Sequence, residues 1–257
     1  MSDLTTDLTR MLGDPDPDVR DHIAYPLLAV WIEHGIYDDL LTGLGDGMCL
    51  GLDSGIGEQG TDSIFRRSLC ALVLAECIDR DNRVRRQSPG RILSWGDRIA
   101  GWYVRELDLR GFVPGKGWAH AAAHGADALG ALARSAHLGT PELTVVLDVI
   151  ADRVLATDTP VFTHAEPDRM AHAVMEVLRR DRIPLSVLEP WVRRLEQGAR
   201  AGTSLRVDPY QRVSNVQQLL RALYLQLTLS PRQPTERSNL LLVVIDALRR
   251  VHPEYLT

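Results

Sequence analysis

Residues 115–127 read Gly-Lys-Gly-Trp-Ala-His-Ala-Ala-Ala-His-Gly-Ala-Asp and hold the chain's densest set of reactive side chains. At 100° per residue on a helix, His120, His124 and Asp127 fall within about 60° of one another. Trp118, Ala122, Leu129 and Leu132 fall on the opposite side. The spacing therefore predicts a ridge of two imidazoles and a carboxylate lying off the helix's main packing face, open to solvent, a cleft or a ligand.

Three kinds of chemistry fit that ridge. Histidines one turn apart can hold a single metal ion, as in zinc sites built on one helix. Asp127 then orients His124 from behind, and further ligands come from His164, Glu166 and Asp168 at the start of a later helix. The expected cofactor on this reading is a divalent metal such as zinc. The stretch lacks the glutamate of a His-Glu-x-x-His protease helix. A metal-free alternative makes His124 a proton carrier held in one tautomer by Asp127. Lys116 and the first amides of the helix would then bind an anionic group. The third reading is structural: the histidines are satisfied by neighbouring helices, Glu166 and Asp168 serve a helix N-terminus, and Arg169 pairs with Asp127. Trp118, His120, Glu166 and Arg169 are the candidate ligand-binding residues. A Ser-His-Asp hydrolase lacks its Gly-x-Ser-x-Gly elbow, and Asp53-Ser54-Gly55 is not one.

The elements that must position these residues read as helices throughout. Asp16-Pro17-Asp18 supplies a cap, a first-turn proline and an acid for the dipole, opening a helix that Pro26 should kink and Gly35 should end. A second helix is expected over 36–41, and a long loop over 43–60, where seven glycines lie. Further helices are expected over 62–79, 91–107, 118–136, 140–156, 166–180, 209–229 and 235–251. Ser186 to Glu189 reads as a capping box with Pro190 in the first turn. No window alternates like a strand for more than a few residues. The chain therefore reads as one all-α domain of about ten helices over 1–257. Two architectures remain: a degenerate helical-hairpin solenoid, favoured because the Asp-Pro-Asp-Pro-Asp-Val-Arg opening is similar to the turn that starts a HEAT repeat, and a compact bundle.

Composition narrows the function classes. A net charge of −5 argues against a nucleic-acid binder driven by bulk charge. A stripe of Arg179, Arg180, Arg182, Arg193, Arg194 and Arg200 keeps DNA binding as a remote alternative. Lys116 is the only lysine among 29 basic residues, a compact ammonium where this chain elsewhere uses guanidinium. Cys49, Cys70 and Cys77 have no metal-ligand spacing and read as reduced core thiols of a cytoplasmic protein. The longest aliphatic run, 240–245, is too short to span a membrane, and no signal peptide is evident.

The segment Asp108-Leu109-Arg110-Gly111-Phe112, followed by Gly117-Trp118-Ala119-His120 through His124 and Asp127, resembles a bacterial family, the domain of unknown function numbered 2785. Arg66-Arg67-Ser68 and Glu166-Pro167-Asp168-Arg169-Met170-Ala171 extend the likeness. The resemblance implies an α-helical protein of unassigned activity and transfers no catalytic residue. Where the family often has two adjacent acids before the arginine, Pro167 here separates Glu166 from Asp168. The leading expectation is a helical-repeat protein that binds a protein or a small molecule on a surface containing the ridge. The alternative is a histidine-carboxylate enzyme acting on a small or phosphorylated substrate.

Overall fold

The computed structural model describes residues 2–157, 159–199, 208, 210–252 and 254–256. They are mostly helical, and the fold is all-α, with one two-stranded hairpin among the described residues. The chain divides into two compact units, Met1–His137 and Leu138–Thr257.

The first unit opens with α1 (Ser2–Met11) and α2 (Pro17–Val19), where the Asp16 carboxylate accepts the Asp18 N–H as expected. A π-helical turn over Arg20–Ala24 leads into α3 (Tyr25–Glu33). That turn explains how Pro26 is accommodated. Proline offers no N–H and its ring crowds the carbonyl four residues back, and one wider turn relieves both conflicts without breaking the helix.

The second helix is displaced from its expected place. Residues 34–40 form turns, and α4 spans Leu41–Gly51, inside the stretch expected to be a loop. The glycines there serve packing. A Cβ on Gly45 would overlap the Trp95 ring, and one on Gly51 would overlap the Cys70 sulfur. The loop is therefore confined to 52–62. After it come α5 (Ser63–Val84), α6 (Pro89–Arg105), the strands β1 (Phe112–Val113) and β2 (Gly117–Trp118), and α7 (Ala121–Arg134). Within this unit α5 packs against α3, α4 and α7, and α6 against α4 and α7.

The second unit contains α8 (Thr140–Leu155), α9 (Glu166–Leu178), α10 (Leu185–Gly198), α11 (Tyr210–Leu229) and α12 (Arg237–Val251). The Glu142 carboxylate reaches back to the Gly139 N–H at 2.8 Å, half of a capping box at the start of α8. The box expected at Ser186 does not form. The Pro184 carbonyl accepts the Val187 and Leu188 N–H groups, so α10 begins earlier and Pro190 lies inside it. Helix α8 packs on α9, α10 and α11, while α9 packs on α11, and α10 and α11 both pack on α12. Pro209 and Arg200 lie outside the described residues.

The three cysteines are free and buried. Burial pushes the Cys49 thiol up to about 12 and the Cys70 thiol up to about 11, and raises Cys77 as well. A thiol raised above its ordinary value stays protonated at pH 8, and the thiolate is the reactive form. Native protein should therefore resist a thiol-disulfide reagent at pH 8, and all three groups should react once guanidinium is added. Stoichiometric labelling of the folded chain within minutes would contradict this.

Candidate functional site

The histidine segment sits differently from the expected single helix. Gly117 has φ +77° and His120 φ +53°, so the chain turns twice before α7 begins at Ala121. Left-handed geometry is natural for Gly117 but uncommon for a histidine. At His120 it is held by backbone bonds on both sides. The His120 N–H donates to the Arg110 carbonyl at 2.9 Å, and the His120 carbonyl accepts the Ala123 and His124 N–H groups. His120 is therefore the N-cap of α7, and Trp118 belongs to the preceding hairpin. Neither residue shares a helical wheel with Asp127.

The hairpin is short and well tied. Phe112 pairs with Trp118 and Val113 with Gly117, and the Lys116 N–H closes the turn on the Val113 carbonyl. The Lys116 ammonium contacts both oxygens of Asp62, at 2.6 and 2.7 Å. The Lys116 carbonyl accepts from Arg20 at 2.7 Å. Arg20 is itself buried, clamps Asp21 through two bonds of 2.8 Å, and lies 4.0 Å over the Phe65 ring. Lys116 thus anchors the hairpin to the start of α5, a role that its expected use against an anion did not include.

From the hairpin, four rings run inward in sequence. Phe112 meets Trp118 edge-on, with centroids 5.2 Å apart; Trp118 stacks on His120 at 4.7 Å and 23°. His120 meets His124 edge-on at 5.7 Å. His124 Nδ1 shares a 2.7 Å hydrogen bond with the Ser68 hydroxyl on α5. The outer end is open, with Phe112 and Trp118 at 49% and 41% exposure. The inner end is closed: His120, His124 and Ser68 are all buried.

An open ridge on α7 is thus not what the fold provides. From Ala121 to Ala133 every residue except the half-buried Asp127 is buried. The cause is side-chain size. Nine of those positions are alanine or glycine, and α5 and α6 approach closely enough to cover them. A Cβ on Gly125 would overlap the Tyr103 ring, whose hydroxyl donates to the Ala122 carbonyl at 2.8 Å.

Behind the hairpin lies a buried ion pair that the sequence did not reveal. Arg67 on α5 donates to both oxygens of Glu106, at 2.5 and 2.9 Å, and also to the Ser54 and Gly55 carbonyls and the Ser63 hydroxyl. Glu106 in turn accepts from Trp102 and from the Asp108 N–H. Asp108 holds the Gly60 N–H and the Arg110 guanidinium. The 52–62 loop and the approach to the hairpin are joined through this network. Arg67 and Glu106 lie 39 residues apart in the chain, with no local pattern linking them.

The remaining candidates belong to the second unit. Glu166 is buried and turns one oxygen back to the His164 N–H at 2.7 Å, with His164 Nδ1 4.0 Å from the other. Asp168 is exposed; Arg169 is half-buried, and its N–H donates to the carbonyl of Ala165, the left-handed cap of α9. Among the described residues no three His, Cys, Asp or Glu side chains gather into a group that could hold a metal ion. His120 and His124 alone do not complete the four-ligand set of a zinc site, so the residues gathered here do not fit that metal. Of the arginines considered for DNA, Arg179 pairs with Glu176, Arg193 with Glu189, and Arg194 with Asp148 and Asp152.

A family model described as a protein of unknown function (DUF2785) matches residues 52–225. The chain belongs to that family. The DUF2785 match contains the loop, the Arg67–Glu106 pair, the hairpin and the whole ring series, together with α5 to α10. No curated protein and no solved structure matches. None of the described helices is long and apolar enough to cross a membrane.

Proposed function

We propose that this DUF2785 protein is a recognition protein whose contact surface is the Phe112–Trp118 hairpin. The observation that carries the reading is a half-exposed tryptophan held rigidly between a stacked imidazole and an edge-on phenyl ring. Aromatic side chains give much contact area for little conformational cost, and tryptophan leads among residues that dominate binding energy. Preorganisation adds to this: the hairpin is fixed through Lys116, Arg20 and the His120 cap before any ligand arrives. The expected ligand is the flat apolar or aromatic portion of a peptide or small molecule.

A catalytic reading has one observation in its favour, the Ser68–His124 hydrogen bond. A nucleophile must reach its substrate, and both residues are buried, which favours recognition. His120 and His124 then act as the support of the Trp118 ring. Within each unit, helices pack against those two further along the chain, as α3 on α5 and α4 on α6, or α8 on α10 and α9 on α11. That pairing is the habit of stacked helical hairpins and supports a HEAT-like repeat reading. The free, buried thiols support a reducing compartment such as the cytoplasm.

The test is a thermal-shift and fluorescence screen of aromatic and proline-rich peptides and small aromatic molecules. Trp118→Ala should weaken any hit at least about tenfold, yet move the melting temperature of the ligand-free protein little. Bound ligand should also shield Trp118 from iodide quenching. Hits unaffected by Trp118→Ala would overturn the proposal, as would hydrolysis of an ester substrate that Ser68→Ala abolishes.

A further inference from the structure

The outer face of α3 carries an inference independent of the hairpin. Ten consecutive residues, from Ile23 to Ile32, include no charged side chain. One side of this stretch faces inward, with Ala24, Leu28 and Ile32 buried and α3 packed on α5. The other side presents Ile23, Leu27 and Val30 at 44%, 38% and 48% exposure. Their spacing of four and three residues lines them up as one stripe about 10 Å long. A helix apolar on both sides is normally covered on both sides, and the outermost helices of a helical stack ordinarily turn a polar face to water.

The two ends of the stripe differ in charge. Exposed Asp16 and Asp18 stand at its start, with Asp21 held on Arg20. At its end, Arg83 contacts Glu33 and Arg86 contacts Asp39, both guanidinium groups remaining exposed, with exposed Arg85 between them in sequence. Antiparallel docking of a second, identical helix would lay each acidic end over the other's net basic end, where exposed Arg83, Arg85 and Arg86 outnumber exposed Glu33 and Asp39. Ile23 would then meet Val30 of the other copy, and the two Leu27 side chains would meet at the axis. A parallel arrangement would set like charges together. A two-fold contact is also self-complementary and closed.

We propose that the stripe formed by Ile23 of the π-helical turn with Leu27 and Val30 of α3 is the interface of a homodimer, covered by the same stripe of a second copy. Three apolar side chains bury less than the roughly 800 Å² per partner of a standard interface. Association is therefore reversible, in the micromolar range on the order of 1–100 µM.

Sedimentation velocity of the full chain across that range tests it. The expected result is a mass rising with concentration from 28.6 kDa toward twice that value. Leu27→Glu should raise the dissociation constant by about a hundredfold while leaving the melting temperature of the monomer unchanged. Leu27→Cys should link two copies under mild oxidation, because the native thiols are buried. Three results would each overturn the proposal: a single 28.6 kDa species at every concentration, a dimer indifferent to Leu27→Glu, or a dimeric Leu27→Cys chain that does not cross-link.

Discussion

Replacing Arg67 with methionine is expected to lower the stability of the first unit by about 3–5 kcal/mol. The substitution leaves the Glu106 carboxylate buried without its guanidinium and strips a donor from the Ser54 and Gly55 carbonyls. Removing one partner of a buried pair costs far more than the pair itself contributes, because the surviving charge stays desolvated. At roughly 2–4 °C per kcal/mol for a chain of this size, the melting temperature should fall by about 10 °C. Arg67→Met combined with Glu106→Leu should recover a substantial part of that loss, since no uncompensated charge then remains. Calorimetry of the wild type, both single variants and the double variant would decide the matter. A double variant as unstable as the sum of its singles would show that packing, not charge, holds the node.

Gly125→Ala should also destabilise, by about 2 kcal/mol, although alanine is the better helix former. The new methyl would overlap the Tyr103 ring and press on Trp102. Tyr103 cannot swing aside without giving up its bond to the Ala122 carbonyl. Gly101, inside α6, supplies the opposite case: a Cβ there meets nothing within 4 Å. Gly101→Ala should therefore stabilise by about 0.5–1 kcal/mol. Urea titrations read by tryptophan fluorescence should give shifts of opposite sign for the two variants. Shifts of the same sign would show that backbone propensity, not the Tyr103 contact, governs position 125.

The contrast between these glycines explains much of what the sequence disclosed and what it hid. Periodicity, prolines and caps located most of the helices to within a few residues, because hydrophobic spacing is a local signal. The 43–51 stretch misled, since a glycine that permits close packing and a glycine that permits a turn are the same letter. Only the Trp95 ring over Gly45 and the Cys70 sulfur against Gly51 separate the two uses, and both lie far along the chain.

The candidate site was legible as a segment but not as a geometry. His120, His124 and Trp118 do come together, through ring contacts rather than along one ridge. The left-handed turn at His120 broke the helical register on which the ridge depended. Phe112 joined the group through a strand pairing too short to show as alternation. Ser68 joined through packing across 56 residues, a separation at which no local pattern operates.

The Arg20 guanidinium joins two regions that inheritance could treat separately. It lies ahead of the segment matched by the family model, yet its bond to the Lys116 carbonyl braces a hairpin inside that segment. Members of the family that share the matched core while differing upstream would carry the same aromatic tip on a differently sprung mount. Variation among the leading helices would then change how firmly that tip is braced without altering a single residue of the matched segment.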